Sequence, residues 1–416
     1  MITLTVAGIR LRLVSCGFLV LLLTRVAGAA TVPTVEPGKT TAPDGGKGLA
    51  RNESFSLIVA PWTVENPRHD HSQIFPLRDG RLMLIWCEYY VNRPSGLNRT
   101  AYDGPGSRDD APCRITARIS ADGGRSWSGR MTLQDNLDAN NVKQPNIFRC
   151  ANGDMLLFFT SWKIAAQERS VHYKRSTDDG ETWSEIRQLT APGGSYILDS
   201  GRIFKHTSGR IILPIYWSRE IWTDNEKYEA FAYYSDDDGK TWKVSSNRIA
   251  MPKRGAMEPT MVERKDGSVF TILRSTVGYL YQAESRDRGQ TWSEATPTKL
   301  TSPQAEPCLR RIPSTGDLLL IWCNTLPYAM TYPGATTFGR PRNPLASAIS
   351  RDDGRTWENI KTIEHREGYD TAYPNIYFRD AEAIVTFYQA SGSASRDTEL
   401  LLRVYPVKWF YEPDRR

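Results

Sequence analysis

One eight-residue pattern, Ser-x-Asp-x-Gly-x-Thr/Ser-Trp, occurs five times in this chain and restricts its fold more than any other feature. The copies run Ser120 to Trp127, Ser176 to Trp183, Ser235 to Trp242, Ser285 to Trp292 and Ser350 to Trp357, with starts 56, 59, 50 and 65 residues apart. Each conserved position within the pattern has a physical role. The Asp carboxylate accepts backbone N–H groups of a tight turn, the Gly supplies a positive φ, and the Trp buries a large ring beside the turn. A recurrence of this period, with short strands on either side, marks an array of like structural units.

A second repeat runs between the first. It consists of two apolar strands around a Gly-containing or Asp-containing turn: Ser72–Leu77 with Leu82–Trp86, Pro145–Arg149 with Met155–Phe159, and Gly201–Lys205 with Ile211–Ile215. The series continues with Pro259–Glu263 and Val269–Leu273, Pro307–Arg311 and Leu318–Trp322, and Pro374–Phe378 and Ala383–Phe387. Turn chemistry and apolar content predict six β-hairpins, each but the last followed by a Trp turn. Six four-stranded antiparallel units predict an all-β, six-bladed β-propeller over residues 51–416. The last unit lacks a Trp turn, so Glu399–Trp409 and Ser54–Ala60 are expected to supply its outer strands. Five of the 12 Trp residues are accounted for by the first repeat. A length of 416 residues, which suggests two or three domains, is thereby assigned to one.

Residues 1–29 read as a cleaved signal peptide, with Arg10 and Arg12, the apolar run Leu13 to Leu23, and Ala27-Gly28-Ala29. Residues 30–50 read as a disordered linker, and the expected location is secreted or periplasmic. A mean hydropathy of −0.48 and a single long apolar run exclude a multi-span membrane protein and predict no integral membrane segment after signal removal. Removing the signal lowers the formal charge from +6 to +3, too little to argue for nucleic acid. Five cysteines then remain, an odd number that is no disulfide framework although one bridge is permitted. No Cys-x-x-Cys or His-x-x-x-His spacing occurs, so neither metal nor cofactor is expected, and the chain is expected to be monomeric. The sequons at Asn52 and Asn98 are compatible with chance.

The Ser-x-Asp-x-Gly-x-Thr-Trp turns resemble the Asp boxes, or BNR repeats, of the sialidase (neuraminidase) superfamily, and the resemblance covers essentially the whole mature chain. Asp boxes are specific for this kind of propeller rather than for its chemistry, so Asp122, Asp178, Asp237, Asp287 and Asp352 are read as turn acceptors. In a propeller the inner strands begin at the central channel. Aligning the hairpins puts His71, Gln144, Asp199 or Ser200, Glu258, Glu306 and Tyr373 at the strand heads, four of them followed by Pro. A ring this polar is unusual for a filled core and marks a candidate site.

The resemblance assigns roles to several of these residues. Met257-Glu258-Pro259 through Arg274 is similar to the family stretch that carries a general-base Glu and a carboxylate-binding Arg. Arg342 resembles a second triad arginine, and Tyr373 falls where the family's nucleophilic tyrosine is found. The leaving group would be protonated by Asp110, with Asp109 and Asp103 as rivals. One departure concerns the first inner strand, which reads Asp70-His71-Ser72-Gln73-Ile74-Phe75-Pro76 where the family has Arg-Ile-Pro. Either Arg68 reaches in from upstream or His71 takes the arginine's slot. Sialic acid bears a carboxylate on its anomeric carbon, which repels a carboxylate nucleophile and not a neutral phenol. Arginines hold that carboxylate through charge-assisted bonds. Glu306 and Gln144 are expected to complete the binding ring, and Tyr89, Tyr90, Trp217, Trp222 and Tyr332 to supply stacking subsites from loops. His172, His206 and His365 are read as structural or solvated.

Three functions remain open on this reading. The first is a retaining exo-sialidase acting on glycans that end in an acidic sugar. The second is a propeller lyase or hydrolase of uronic-acid glycans with His71 as base, distinguished by an absorbing unsaturated product. The third is a glycan-binding propeller without turnover.

Overall fold

The computed structural model describes residues 54–91, 109–137, 141–221, 223–325, 328–332, 335–391 and 396–413. The expected signal peptide and linker, Asp103, Trp222 and both sequons lie outside the described residues. Within them the regular structure is β-strand, apart from two 3-10 turns at Ile164–Ala166 and Val407–Tyr411. No described helix is long and apolar enough to cross a membrane.

The strands form sheets of eight, nine, four and four strands and a separate two-stranded one. Single parallel bridges, Arg68 to Thr398 and Ser195 to Arg169, join the halves of the two larger sheets. Divided there, the described strands make six antiparallel groups whose innermost hairpins are the six expected from sequence. Apolar layers lie between successive groups, as where Phe75 and Ile85 of the first meet Ile147, Leu157 and Phe159 of the second. Each such buried side chain stabilises by about 1.5–3 kcal/mol. The inner strands pack in series: Arg68–Pro76 on Asn141–Arg149, Met257–Glu263 on Cys308–Arg311, the latter on Tyr369–Arg379, and Tyr369–Arg379 on Arg68–Pro76. Phe55–Ala60 pairs antiparallel with Arg396–Pro406, so the first described strand completes the last group.

The repeated turn is built as its residues demand. In each copy the Ser Oγ donates to the Asp Oδ1 at 2.8 Å and accepts the N–H of the Gly. The same Asp oxygen accepts the N–H of the Thr or Ser before the Trp. Two successive residues are left-handed in every copy, as with Asp353 at φ 59° and Gly354 at φ 88°. The residue preceding the Gly also ties groups together. Asp179 accepts from the backbone N of Arg78, Asp238 from Ala151 and Asn152, and Asp353 from Lys265, each at the hairpin turn of the preceding group.

Three details depart from the sequence expectation. The last long strand stops at Pro406 and a 3-10 turn follows, instead of continuing to Trp409, because Pro has no N–H to extend the ladder. An additional hairpin, Tyr328–Tyr332 with Ala335–Arg340, includes Tyr332, which was expected in a loop. Its β-prone Thr and aromatic residues flank a Pro-Gly turn signal outside the expected pattern. The third inner strand is broken: Ser195–Ile197 and Phe204–Lys205 both pair with Ile211–Ser218 and leave Asp199-Ser200-Gly201-Arg202 between them. This segment sits among four groups. Arg202 N donates to Asn146, Ser200 Oγ to the His71 carbonyl, and Asn375 Nδ2 to the Ser200 carbonyl. The fully buried Arg202 guanidinium binds Glu306, the Pro307 carbonyl at 3.0 Å and the Pro374 carbonyl at 3.1 Å.

Candidate functional site

Four of the six aligned strand heads share a backbone feature. His71, Gln144, Glu258 and Tyr373 have φ of 45°, 57°, 45° and 56°. Each lies within a register shift of its inner hairpin, between Asp70 and Gln73, Lys143 and Asn146, Met257 and Thr260, and Ala372 and Asn375. A left-handed conformation costs a non-glycine residue about 1–2 kcal/mol. Such bulges re-aim side chains, and their clustering at one place is a mark of function. Three of the four residues precede a proline, which is the trace this feature leaves in the sequence.

The four heads face one cavity of about 460 Å³, also lined by Arg274, Arg342, Asp109, Lys143, Trp162 and Arg169. Tyr373 is contacted by Arg342, His71 and Tyr388. Arg342 Nη1 donates to the Tyr373 hydroxyl at 3.3 Å and to the Tyr388 hydroxyl at 2.9 Å, while Arg342 Nη2 binds the Gln304 carbonyl at 2.8 Å. The His71 ring lies 4.2 Å from the Tyr373 ring. Arg274 pairs with Glu258, and both are buried. Burial opposes the Arg274 charge, but Glu258 and Tyr373 raise its pKa above the ordinary value.

Arg68 is buried behind this constellation. Its Nε donates to Asp70 at 2.6 Å and its Nη1 to Asp109 at 2.8 Å. Burial works against its charge, and Asp70, Tyr89, Asp109 and Tyr373 together raise its pKa well above the usual value. Arg68 is thus electrostatically coupled to Tyr373, but it is His71 that lines the cavity. His71 Nδ1 is 2.7 Å from Asp70 Oδ1. Burial alone would lower the imidazole pKa, whereas Asp70 and the Cys87 thiol raise it well above its ordinary value, which favours the protonated imidazole.

The remaining expected residues divide between the wall and the layer beneath it. Gln144 lines the cavity and donates from Nε2 to Asp199 at 2.9 Å. Glu306 does not line it; its carboxylate lies below, bound by Arg202. Asp199 is buried there too, with Oδ2 unpartnered among the described residues. Burial, then Glu306 and Glu258, raise its pKa well above the carboxylate range. Asp110 is not among the cavity residues; its neighbour Asp109 is, with a half-exposed side chain. Partial desolvation opposes ionisation of Asp109, but Arg68, Lys143 and Arg169 hold it far below the usual carboxylate range.

Two sets of metal-ligand atoms lie within 4.8 Å of one another, Asp70–His71–Cys87 and His71–Asp199–Glu306. Both use His71, whose Nδ1 is held by Asp70, and the second uses Glu306, which is bound by the Arg202 guanidinium. Among the described residues Cys87, Cys113, Cys150, Cys308 and Cys323 are free and buried.

Two of the expected aromatic subsites, Tyr89 and Trp217, lie away from the cavity. Tyr89 is fully buried under Arg68, 4.5 Å from its guanidinium carbon, because it ends a strand rather than occupying a loop. Trp217 lies on the strand Ile211–Ser218 and outside the cavity, covered by Arg248. Trp162, Tyr216 and Tyr228 line the cavity instead, and sequence reasoning missed them. Trp162 and Tyr216 lie near the ends of the strands next to the inner ones, a position that an alignment of the second strands would have exposed. His172 stacks on Phe159, His206 binds Ser208 and the Gly267 carbonyl, and His365 is exposed; none lines the cavity.

Comparison with known proteins places these features in context. A family model described as a BNR repeat-like domain matches residues 98–384. A sialidase of Bacteroides fragilis (strain YCH46) is 26% identical over 230 residues, 52% of this chain and 39% of that protein. A sialidase of Micromonospora viridifaciens is 25% identical over 379 residues, 82% of this chain and 54% of the relative. The chain thus spans about half the length of these curated relatives or less. Among solved structures, the Trypanosoma rangeli sialidase in complex with 2,3-difluorosialic acid, a covalent intermediate, superposes with a TM-score of 0.64 at 15% identity, covering 86% of this chain and 59% of that one. At that identity the likeness concerns the fold.

Proposed function

The chain belongs to the BNR repeat-like domain family of the sialidase superfamily, and from that premise we propose that it is a retaining exo-glycosidase releasing a terminal acidic sugar, sialic acid, from glycans. On this reading the six antiparallel groups are the blades of a six-bladed propeller, and the enzyme acts as a secreted monomer after loss of residues 1–29. The packing of Tyr369–Arg379 back onto Arg68–Pro76 supports the ring.

The observation that carries the proposal is the convergence of a phenol, a buried Glu–Arg pair and a second arginine on one cavity. Arg274 and Arg342 hold the substrate carboxylate as guanidiniums. Tyr373 Oη attacks the anomeric carbon as its proton passes to Glu258; the glycosidic C–O bond breaks as the leaving oxygen takes a proton. We assign that proton to Asp109 rather than Asp110, since Asp109 lines the cavity; Arg68, Lys143 and Arg169 favour its carboxylate form in the free site, so the reading requires bound substrate to weaken those contacts before Asp109 is protonated. Water then cleaves the tyrosyl–sugar bond, giving its proton to the Asp109 carboxylate while the departing Tyr373 oxygen recovers its proton from Glu258. A neutral phenol approaches the substrate carboxylate without repulsion, and Arg342 beside it favours the developing phenolate.

The test is turnover of an aryl sialoside by Tyr373→Phe and Glu258→Ala. Both are expected to lose at least about 100-fold in kcat, at the low end of what a proton-transfer group contributes, with unchanged circular dichroism. Full activity in either variant refutes the assignment. An ultraviolet-absorbing unsaturated product from a uronic-acid glycan, lost in His71→Ala, would replace it with a lyase.

A further inference from the structure

The cavity holds a second concentration of positive charge that the proposed chemistry does not use. Lys143, Trp162 and Arg169 come from three neighbouring strands of the second group, Asn141–Arg149, Met155–Lys163 and Glu168–Ser176, and all three line the cavity. Trp162 and Arg169 are register partners, and the Arg169 guanidinium carbon lies 3.8 Å from the indole centroid. Lys143 Nζ is 5.8 Å from the same ring. Two cations therefore lie close to one indole ring.

Their charges are poorly compensated. Lys143 is buried, and its nearest carboxylate is Asp109 at 4.0 Å, an acid already bound by Arg68 at 2.8 Å. Among the described residues Arg169 pairs with no carboxylate; its partner is the Trp162 ring. Like charges held together in a partly desolvated wall repel each other, and an anion placed between them relieves that cost. The position is also informative. Asp109 is the acid they share with Arg68: Arg68 Nη1 lies 2.8 Å from it and Lys143 Nζ 4.0 Å, and Arg169 also favours its ionised form. A group departing past Asp109 enters their field.

Building on the reading of this cavity as a glycosidase site, we propose that Lys143 and Arg169, close to the Trp162 indole, form a second anion subsite. It takes a carboxylate or sulfate on the sugar adjacent to the one released, so that the preferred substrate carries acidic groups on two consecutive sugars. The indole supplies a face for the second ring, and a cavity of about 460 Å³ lies in the range that accepts ligands larger than a single ring. An anion there also draws Lys143 and Arg169 away from Asp109, which favours the protonated carboxyl that a leaving oxygen requires.

The test compares kcat/KM of the full chain on an uncharged-aglycone sialoside, an α2,8-linked disialoside and a sialoside whose adjacent sugar is sulfated, with calorimetric binding of the same sugars. Wild type is expected to favour the two dianionic substrates at least tenfold. Arg169→Met is expected to lose at least tenfold more on them than on the monoanionic one, mainly in KM, and Arg169→Lys to recover part of that loss. A preference for one dianion identifies the anion. Equal losses on all substrates, or no dianion preference in wild type, overturn the subsite. Should no substrate turn over, Arg169-dependent binding of the dianions supports the subsite and refutes the hydrolase, whereas binding of neither class refutes both.

Discussion

His69 and His71 stand two residues apart on the strand Arg68–Pro76, and their environments push them in opposite directions. His69 accepts a hydrogen bond from the Trp86 indole at 3.0 Å, and burial, only partly offset by Glu88, pulls its pKa down to about 4. Contact with Asp70 instead raises the His71 pKa above its ordinary value against the opposing effect of burial. The linkage signs follow. The unfolded chain binds a proton at His69 below about pH 6.5 that the folded protein refuses until about pH 4, so His69 destabilises the fold as pH falls through that window. His71 acts the other way, and its stabilisation is lost as pH rises through its elevated pKa. Each proton changes stability by at most about 1.4 kcal/mol per pH unit. Replacing His69 by Gln, which retains an acceptor for Trp86, should flatten the acid limb of stability between pH 6.5 and 4. Denaturant midpoints across that range check it, and parallel limbs in wild type and variant would refute the assignment. Site legibility also divides at this scale. The types at the strand heads were readable because the hairpins align on their turns, whereas nothing local distinguishes Asp109 from Asp110. Which of the two adjacent carboxyls faces the cavity depends on Arg68 and Lys143, from elsewhere in the chain.

The repeated Trp turn is an element whose sequence and geometry agree closely. The Ser, Asp and Gly hydrogen bonds common to the five copies close within eight residues, so no tertiary information is needed to foresee them. What the pattern does not disclose is the second left-handed residue, or its use of a side chain to cap the neighbouring group's hairpin. Gly354 shows why the Gly is required: φ is 88°, and a Cβ there would collide with the Phe270 ring of the preceding group. Gly354→Ala should therefore cost more than the ~1–2 kcal/mol of left-handed strain alone. Gly267→Ala, at φ 81° with open space around the missing Cβ, should cost only the strain. Chemical unfolding of both measures the difference, and equal losses would show that the Phe270 contact is relieved at no cost. The bulged heads belong to the same scale. Three of the four carry a proline visible in the sequence, but the left-handed residue at each head is held by pairing on either side of the bulge.

Across the whole molecule, the strand Phe55–Ala60 lies hundreds of residues from its partner Arg396–Pro406, and Val59 packs with Leu400, Leu402 and Val404 in one apolar cluster. Removing everything before residue 61 should expose a long apolar strand edge, lower the thermal midpoint and cause association. Light scattering during a thermal scan reports both effects; a monomeric truncation with an unchanged midpoint would show that the pairing is dispensable. Sequence alone determined the repeated turns, the six hairpins and the residue types at their heads, because turn chemistry and strand alternation act over a few neighbours. Only the tertiary structure decided that the third inner strand breaks around Asp199-Ser200-Gly201-Arg202, that Glu306 lies beneath the cavity while Glu258 lines it, and that Trp162 and Arg169 join the wall. Those outcomes depend on which side chains meet across separate sheets, where burial and charge compensation among residues far apart in the chain outweigh any local preference.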